Sequence, residues 1–248
     1  MPGRSRPSTR STTHTLDAWE RVTKVKGRDS VEENRTYVAG TRRIHEKSNA
    51  YYTTDRFTYD AGGRVTLHET FNYAVSTGVR TRTARYGYDA LGNVVRQWGS
   101  ATDPVASEYN EFGQQTKQWT YRSGTAWPTS ATWPGGTGDL TEWVYQARTG
   151  LLVQKRDALL KTLSYAYNVR GQVSRRTEQS TRRVVPAVPE EFVVTDYGYY
   201  DGVAEGATHA SFRTGELKNV DYPGATQDIS YSYDRMGRLA SVNAGSLG

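Results

Sequence analysis

The sequence predicts an all-β protein, in which tandem antiparallel hairpins of about 22 residues build a curved, spiralling sheet. Three observations predict it. A short unit recurs: Tyr, then Asp or Asn, two variable residues, Gly, a polar residue and usually an apolar one. The segment before a copy alternates apolar and polar residues, as Ile229, Tyr231 and Tyr233 do with Ser230 and Ser232. No stretch reads as a helix.

The copies run in order. A worn one opens the series, Leu16-Asp17-Ala18-Trp19-Glu20-Arg21-Val22, with Glu20 where the others have glycine. Tyr37 lies near the midpoint of the gap that follows. Tyr59-Asp60-Ala61-Gly62-Gly63-Arg64-Val65 and Tyr88-Asp89-Ala90-Leu91-Gly92-Asn93-Val94 come next. Then come Tyr109-Asn110-Glu111-Phe112-Gly113-Gln114-Gln115 and a variant one residue longer, Tyr145-Gln146-Ala147-Arg148-Thr149-Gly150-Leu151-Leu152. Tyr167-Asn168-Val169-Arg170-Gly171-Gln172-Val173 and Tyr233-Asp234-Arg235-Met236-Gly237-Arg238-Leu239 complete the set. Tyr88 and Tyr109 are 21 residues apart, Tyr145 and Tyr167 22. The gap from Leu16 to Tyr59 reads as two units, and that from Tyr167 to Tyr233 as three.

Each copy reads as a tight turn between two strands. Asp or Asn at the first turn position bonds the backbone two residues on, and glycine at the fourth takes positive φ at little cost. That combination suits a three-residue loop, a type I turn closed by a glycine bulge. The loop sets the register. Tyr233 then faces Leu239, Tyr59 faces Val65, Tyr88 faces Val94 and Tyr167 faces Val173, an apolar face. Asp60 meets Arg64, Asp234 meets Arg238, Asp89 meets Asn93, Asn110 meets Gln114 and Asn168 meets Gln172 on the other. Glu20 must change its turn or strain it. One hairpin is marginal in water, whereas hairpins side by side cover each other's edges. Equivalent positions then recur about every 10 Å, two strand spacings.

Composition narrows the function. Tyr is abundant at 18 against five Phe and two Met, and mean hydropathy is -0.76. A tyrosine ring buries apolar area while its hydroxyl still needs a partner. The absence of cysteine excludes disulfides, thiolate metal sites and cysteine nucleophiles. No apolar run is long enough for a membrane span, and the N-terminus lacks the apolar core of a signal peptide. Net charge is +6, of which Arg4, Arg6 and Arg10 supply half. Residues 1–12 read as a disordered basic tail, and nucleic acid is not an expected partner.

These residues resemble the YD repeats of the Rhs family, which includes bacterial polymorphic toxins, cage-forming subunits of insecticidal toxin complexes, and animal teneurins. The resemblance rests on the Tyr-Asp-x-x-Gly-Arg copies at 59–65 and 233–239, on their looser relatives, on Trp143-Val144-Tyr145 with Thr149-Gly150-Leu151-Leu152, and on the run Ile229 to Val242. It implies a hollow shell wound from a spiral β-sheet, secreted or displayed at the cell surface. In toxin members such a shell encloses a C-terminal toxin. Residues 13–248 then form one arc, truncated at its C-terminal end. Its partners are the remaining repeats of the shell and an enclosed toxin polypeptide or a cell-surface glycan. The resemblance implies no cofactor.

The sequence shows no catalytic set beside this architecture. His14, His45, His68 and His209 lack metal-ligand spacing. No Gly-x-Ser-x-Gly elbow occurs, and Pro134-Gly135-Gly136-Thr137-Gly138 lacks the ending of a phosphate loop. The recurrent aspartates read as turn caps rather than catalytic acids. Irregular stretches at 122–139 and 179–190 read as loops, the second carrying Arg182, Arg183, Pro186 and Pro189. Trp127 and Trp133 in the first are expected to pack back onto the sheet. An alternative function, a carbohydrate-binding or adhesive module, would use them to stack on sugars. The expectation is a structural, non-catalytic protein.

Overall fold

The computed structural model describes residues 11–27, 31–49, 53–72, 79–122, 127–179, 192–201, 214–224, 226–234 and 236–245. Residues 1–10 of the basic tail, 123–126 of the first irregular stretch and 180–190 of the second lie outside them. All regular structure among the described residues is β, eighteen strands with no helix. The chain divides into two compact units, Met1–Asp139 and Leu140–Gly248.

The first unit is a meander. Its strands are β1 (Thr13–Leu16), β2 (Val22–Lys26), β3 (Glu32–Tyr37), β4 (Ile44–Asn49), β5 (Thr53–Tyr59), β6 (Val65–Asn72), β7 (Val79–Tyr88), β8 (Val94–Trp98), β9 (Val105–Tyr109) and β10 (Gln115–Thr120). Each pairs antiparallel with the next. The second unit holds β11 (Asp139–Tyr145), β12 (Leu152–Arg156), β13 (Thr162–Tyr167), β14 (Val173–Gln179), β15 (Phe192–Asp201), β16 (Thr214–Asp221), β17 (Ile229–Tyr233) and β18 (Leu239–Ala244), paired in the same manner.

The turns set the register. Tyr59 faces Val65, Tyr88 faces Val94, Tyr109 faces Gln115, Tyr167 faces Val173 and Tyr233 faces Leu239. The worn copy pairs Leu16 with Val22, and the two longer loops pair Tyr37 with Ile44 and Tyr145 with Leu152. In the five-residue copies the ladder slips by one residue beside the turn, the signature of a bulge.

Among the described residues, the gap from Tyr167 to Tyr233, read as three units, holds one intermediate hairpin, β15–β16, rather than two. Its strands are ten and eight residues long, and Tyr199 faces Leu217. Residues 202–213 between them carry the rest of the length. Long strands and a long connection added the residues, so counting them over-counted the hairpins.

Burial is shallow throughout. No large side chain among the described residues falls below 2% exposure, and the buried hydrophobic set is Phe71, Ala84, Trp98, Trp127 and Val220. A meander buries a side chain mainly through cross-strand neighbours on its own face. The exception is in the first unit, where residues 127–138 fold onto β7 and β8. Trp98 Nε1 donates to Ser130 O at 3.1 Å and Thr83 Oγ1 to Pro128 O at 3.3 Å.

Candidate functional site

The recurring site is the junction between one hairpin and the next, and it starts in the turn. The Asp60 N–H donates to Arg64 O at 2.9 Å, and the Gly63 N–H donates to Asp60 O at 3.0 Å. One Asp60 carboxylate oxygen accepts the Arg64 N–H, the other Arg64 Nε, at 2.9 and 2.7 Å. Asp234 and Arg238 repeat this at 3.0 and 2.7 Å. Asp89 keeps the backbone bond and accepts Asn93 Nδ2 at 2.8 Å. Asn110 and Asn168 accept backbone N–H groups through Oδ1 and donate through Nδ2 to Gln114 and Gln172. The closing glycines all lie at positive φ: Gly63 at 85°, Gly92 at 92°, Gly113 at 74°, Gly171 at 79° and Gly237 at 77°; Gly150 of the longer loop is at 70°. The five turns therefore present the same backbone, while in the longer loop the Gly150 N–H donates to Gln146 O, four residues back, at 2.8 Å.

Two turns build the same bend without glycine. Glu20 sits at φ 57° and its N–H donates to Asp17 O at 3.0 Å. Leu160 sits at φ 63° and its N–H donates to Asp157 O at 3.0 Å. The second turn, Asp157–Lys161, joins β12 to β13, at the opposite ends of the strands from the tyrosine turns. Sequence reading missed it because Arg156 and Leu160 stand where the repeat has Tyr and Gly. The Asp followed four residues later by Lys was the surviving signal.

Six of the hairpin tyrosines reach back to the hairpin before. Tyr37 OH donates to Val22 O at 2.7 Å, Tyr59 OH to Ile44 O at 2.7 Å, Tyr88 OH to Val65 O at 2.6 Å and Tyr109 OH to Val94 O at 3.2 Å. In the second unit Tyr167 OH donates to Leu152 O at 2.5 Å and Tyr199 OH to Val173 O at 2.9 Å. The acceptor is always the first residue of the preceding hairpin's return strand. The rings are half-buried, and burial raises the pKa of Tyr59, Tyr88, Tyr167 and Tyr199 above the usual phenol value. The proton stays on oxygen, where the bond needs it. Each such bond is worth about 1 kcal/mol.

The residue before that acceptor reaches forward. The Arg21 guanidinium lies 4.6 Å from the Tyr37 ring centroid, Arg43 5.9 Å from Tyr59 and Arg64 4.7 Å from Tyr88. These are cation–π distances. Arg21 Nη1 also donates to Thr41 O at 2.5 Å, and Arg64 Nη1 to Asp89 O at 2.9 Å, both in the next turn. Gln172 Nε2 donates instead to Gly215 O, in β16, at 2.6 Å. One dipeptide thus meets one tyrosine: Arg21-Val22 meets Tyr37, Arg43-Ile44 meets Tyr59 and Arg64-Val65 meets Tyr88. Sequence reading found the members and the cross-turn pairs but not these inter-hairpin bonds. The large tyrosine content and the hydroxyl's need for a partner were the available signal.

The two loop tryptophans pack against other rings. Trp127 and Trp133 lie 4.8 Å apart at 66°, and Tyr121 lies 4.9 Å from Trp127. Trp133 also meets Trp98 edge-on at 5.6 Å. Trp127 is only 6% exposed, so its faces are not open for a sugar ring. Beside it a recess of about 640 Å³ is lined by residues 99–104 with Tyr121, Arg122, Trp127 and Pro128. Arg122 at its rim pairs with Asp139 at 2.5 Å. His68 pairs with Asp55 at 2.8 Å and stacks on Phe57; His209 lies outside the described residues. Among the described residues no three His, Cys, Asp or Glu side chains converge as a metal site would need.

No family model and no curated protein matches the chain. Solved structures do. The crystal structure of TcdB2-TccC3 superposes with a TM-score of 0.55 at 17% identity, over 94% of this chain and 12% of that one. TcdB2-TccC3-TEV gives 0.53 at 17% identity over the same shares. TcdB2-TccC3 without its hypervariable C-terminal region gives 0.51 at 15%, over 94% of this chain and 14% of that one. The chain therefore spans roughly an eighth of the length of the chains it matches, and at these identities the likeness is one of fold.

Proposed function

We propose that this chain is a segment of the wall of a YD-repeat β-shell of the Rhs type. Its role is structural, and it carries no chemistry of its own. The whole protein, exported or displayed at the cell surface, holds a C-terminal toxin or another polypeptide behind the wall. The observation that carries this reading is the reciprocal junction, tyrosine hydroxyl backwards and Arg or Gln forwards. It couples each hairpin to its neighbours, so the assembly grows by addition and needs no central core. The fold likeness to TcdB2-TccC3 supports the same reading, as does the shallow burial.

Electron microscopy of the complete protein, with limited proteolysis, tests it. The expected result is a hollow particle whose wall contains these hairpins and whose enclosed polypeptide resists protease until the wall is opened. A solid particle with a filled core would overturn the proposal.

A further inference from the structure

Arg85, in the middle of β7, is buried at 9% exposure, and its Nη1 has no hydrogen-bond partner among the described residues. A buried donor with nothing to donate to bears its full desolvation cost, and a charged one bears most. The register gives its surroundings, because cross-strand partners share a face. Arg85 faces Leu67 on β6 and Trp98 on β8, and Gly87 faces Arg96. Arg85 and Arg96 are therefore diagonal neighbours, at the separation of about 7–8 Å that long side chains span. Trp98 and Gly87 are the other two corners, and Gly87 has no side chain to stand between the arginines. Trp133 completes the wall, meeting Trp98 edge-on at 5.6 Å and the Arg96 guanidinium at 5.6 Å.

The carboxylates that share this face are already engaged. Glu46 accepts Arg56 Nε at 2.9 Å, Glu69 holds Arg80 at 3.0 Å and Glu108 holds Lys117 at 3.2 Å. Glu69 is itself a diagonal neighbour of Arg85, yet it bonds Arg80. Two cations are left over, Arg85 and Arg96, with which no carboxylate pairs among the described residues. We propose that Arg85 and Arg96 form a binding site for an oxyanion, whose oxygens accept Arg85 Nη1 and the Arg96 guanidinium beside the Trp98 and Trp133 rings. Guanidinium forks match carboxylate and phosphate alike. An anion there relieves both the unmade bond of Arg85 and the repulsion between two like charges. The inference stands apart from the wall reading, since it needs only β6, β7, β8 and Trp133. The oxyanion comes either from an acidic side chain of a polypeptide laid on this face or from a free anion.

The test titrates the full chain with inorganic phosphate, with acetate and with tetraglutamate peptide, replacing chloride at constant ionic strength. The arginine Nε–Hε resonances are followed. Saturable shifts are expected at Arg85 and Arg96, with Arg56 and Arg80 unmoved. Arg85→Met should weaken phosphate binding at least about tenfold and Arg96→Met about threefold to tenfold. Should Arg85→Met not fold, the Arg85 resonance of the unaltered chain decides alone. Tetraglutamate bound at least about tenfold more tightly than acetate or phosphate identifies a polypeptide side chain as the source, and phosphate bound more tightly than the peptide identifies a free anion; either supports the site. No saturable shift at Arg85, or phosphate binding that Arg85→Met leaves unchanged, overturns it. So do Arg85→Met and Glu69→Gln whose losses in melting temperature fail to add in chloride, since Glu69 would then already be the partner of Arg85.

Discussion

The hairpins β1–β2, β3–β4 and β5–β6 meet their successors through arginine, while β13–β14 meets β15–β16 through glutamine. Arg21, Arg43 and Arg64 each lay a cation on a tyrosine ring. Gln172 reaches only the next backbone carbonyl. The tyrosine hydroxyl bond is nevertheless present in both regions, at 2.6 Å for Tyr88 and 2.5 Å for Tyr167. The common part of the junction is thus the positive-φ turn and the phenol, and the arginine is an addition. Surface ion pairs and exposed cation–π contacts are individually weak. The ring and its hydroxyl should therefore dominate.

The largest expected effect follows from removing the ring. Tyr88→Ala should destabilise by about 2–4 kcal/mol, since a half-buried aromatic is lost with its hydrogen bond. Tyr167→Ala should cost nearly as much. Tyr88→Phe and Tyr167→Phe should each cost about 1 kcal/mol, because a backbone carbonyl loses its donor. Urea denaturation measures all four. If Tyr88→Ala costs far more than Tyr167→Ala while the two Phe variants agree, the arginine on the ring is not a mere addition and the comparison fails.

The next effect lies in the turns. Gly63→Val or Gly237→Val should destabilise by about 1 kcal/mol or more, because a β-branched residue resists positive φ. In Gly63 the space itself is shared: an added Cβ would lie 2.1 Å from the Arg43 guanidinium, which has to move aside. Glu20→Gly tests the reverse. Relief of left-handed strain is worth about 1–2 kcal/mol and the added chain entropy opposes it by about 0.5–1 kcal/mol. A net gain of about 0.5–1 kcal/mol in thermal or urea stability is expected. A loss would mean that the Glu20 side chain makes a contact worth more than the strain.

Local turn chemistry made much of this legible in the sequence. Asp and Gly at fixed offsets define one loop length, and the loop defines the register, so Tyr233 opposite Leu239 follows from five residues. The Asp157–Leu160 turn was hidden because Leu160 takes the positive φ that glycine takes elsewhere, while the Asp157 carboxylate caps the Leu159 and Lys161 N–H groups. The hairpin junctions were hidden for another reason. Tyr88 and Val65 are far apart in sequence, and nothing local says which carbonyl a hydroxyl will find. The tryptophan cluster is similar: residues 127–138 have no period, and their path is set by ring packing on Trp98 and Tyr121.

The smallest effect separates the turns by pH. The Arg64 N–H, and then its guanidinium, hold the Asp60 carboxyl below its usual pKa. The Arg21 N–H does so first for Asp17, and the Asn93 side-chain amide first for Asp89. A carboxylate whose folded pKa is depressed contributes stability that is complete above the unfolded value of about 3.9. That contribution disappears as pH falls through the lower folded value. Asn110 and Asn168 make the same backbone bonds with a group that does not titrate. Taking the protein from about pH 6 to about pH 2 should therefore move the Arg21, Arg64 and Asn93 amide resonances, with inflections below the usual Asp value. The Gln114 and Gln172 amides should stay still until the protein as a whole responds. Inflections at Gln114 or Gln172 matching that of Arg64 would show that acid acts on the sheet globally. The aspartate and asparagine turns would then be equivalent in kind, and the distinction between the two regions would rest on the rings alone.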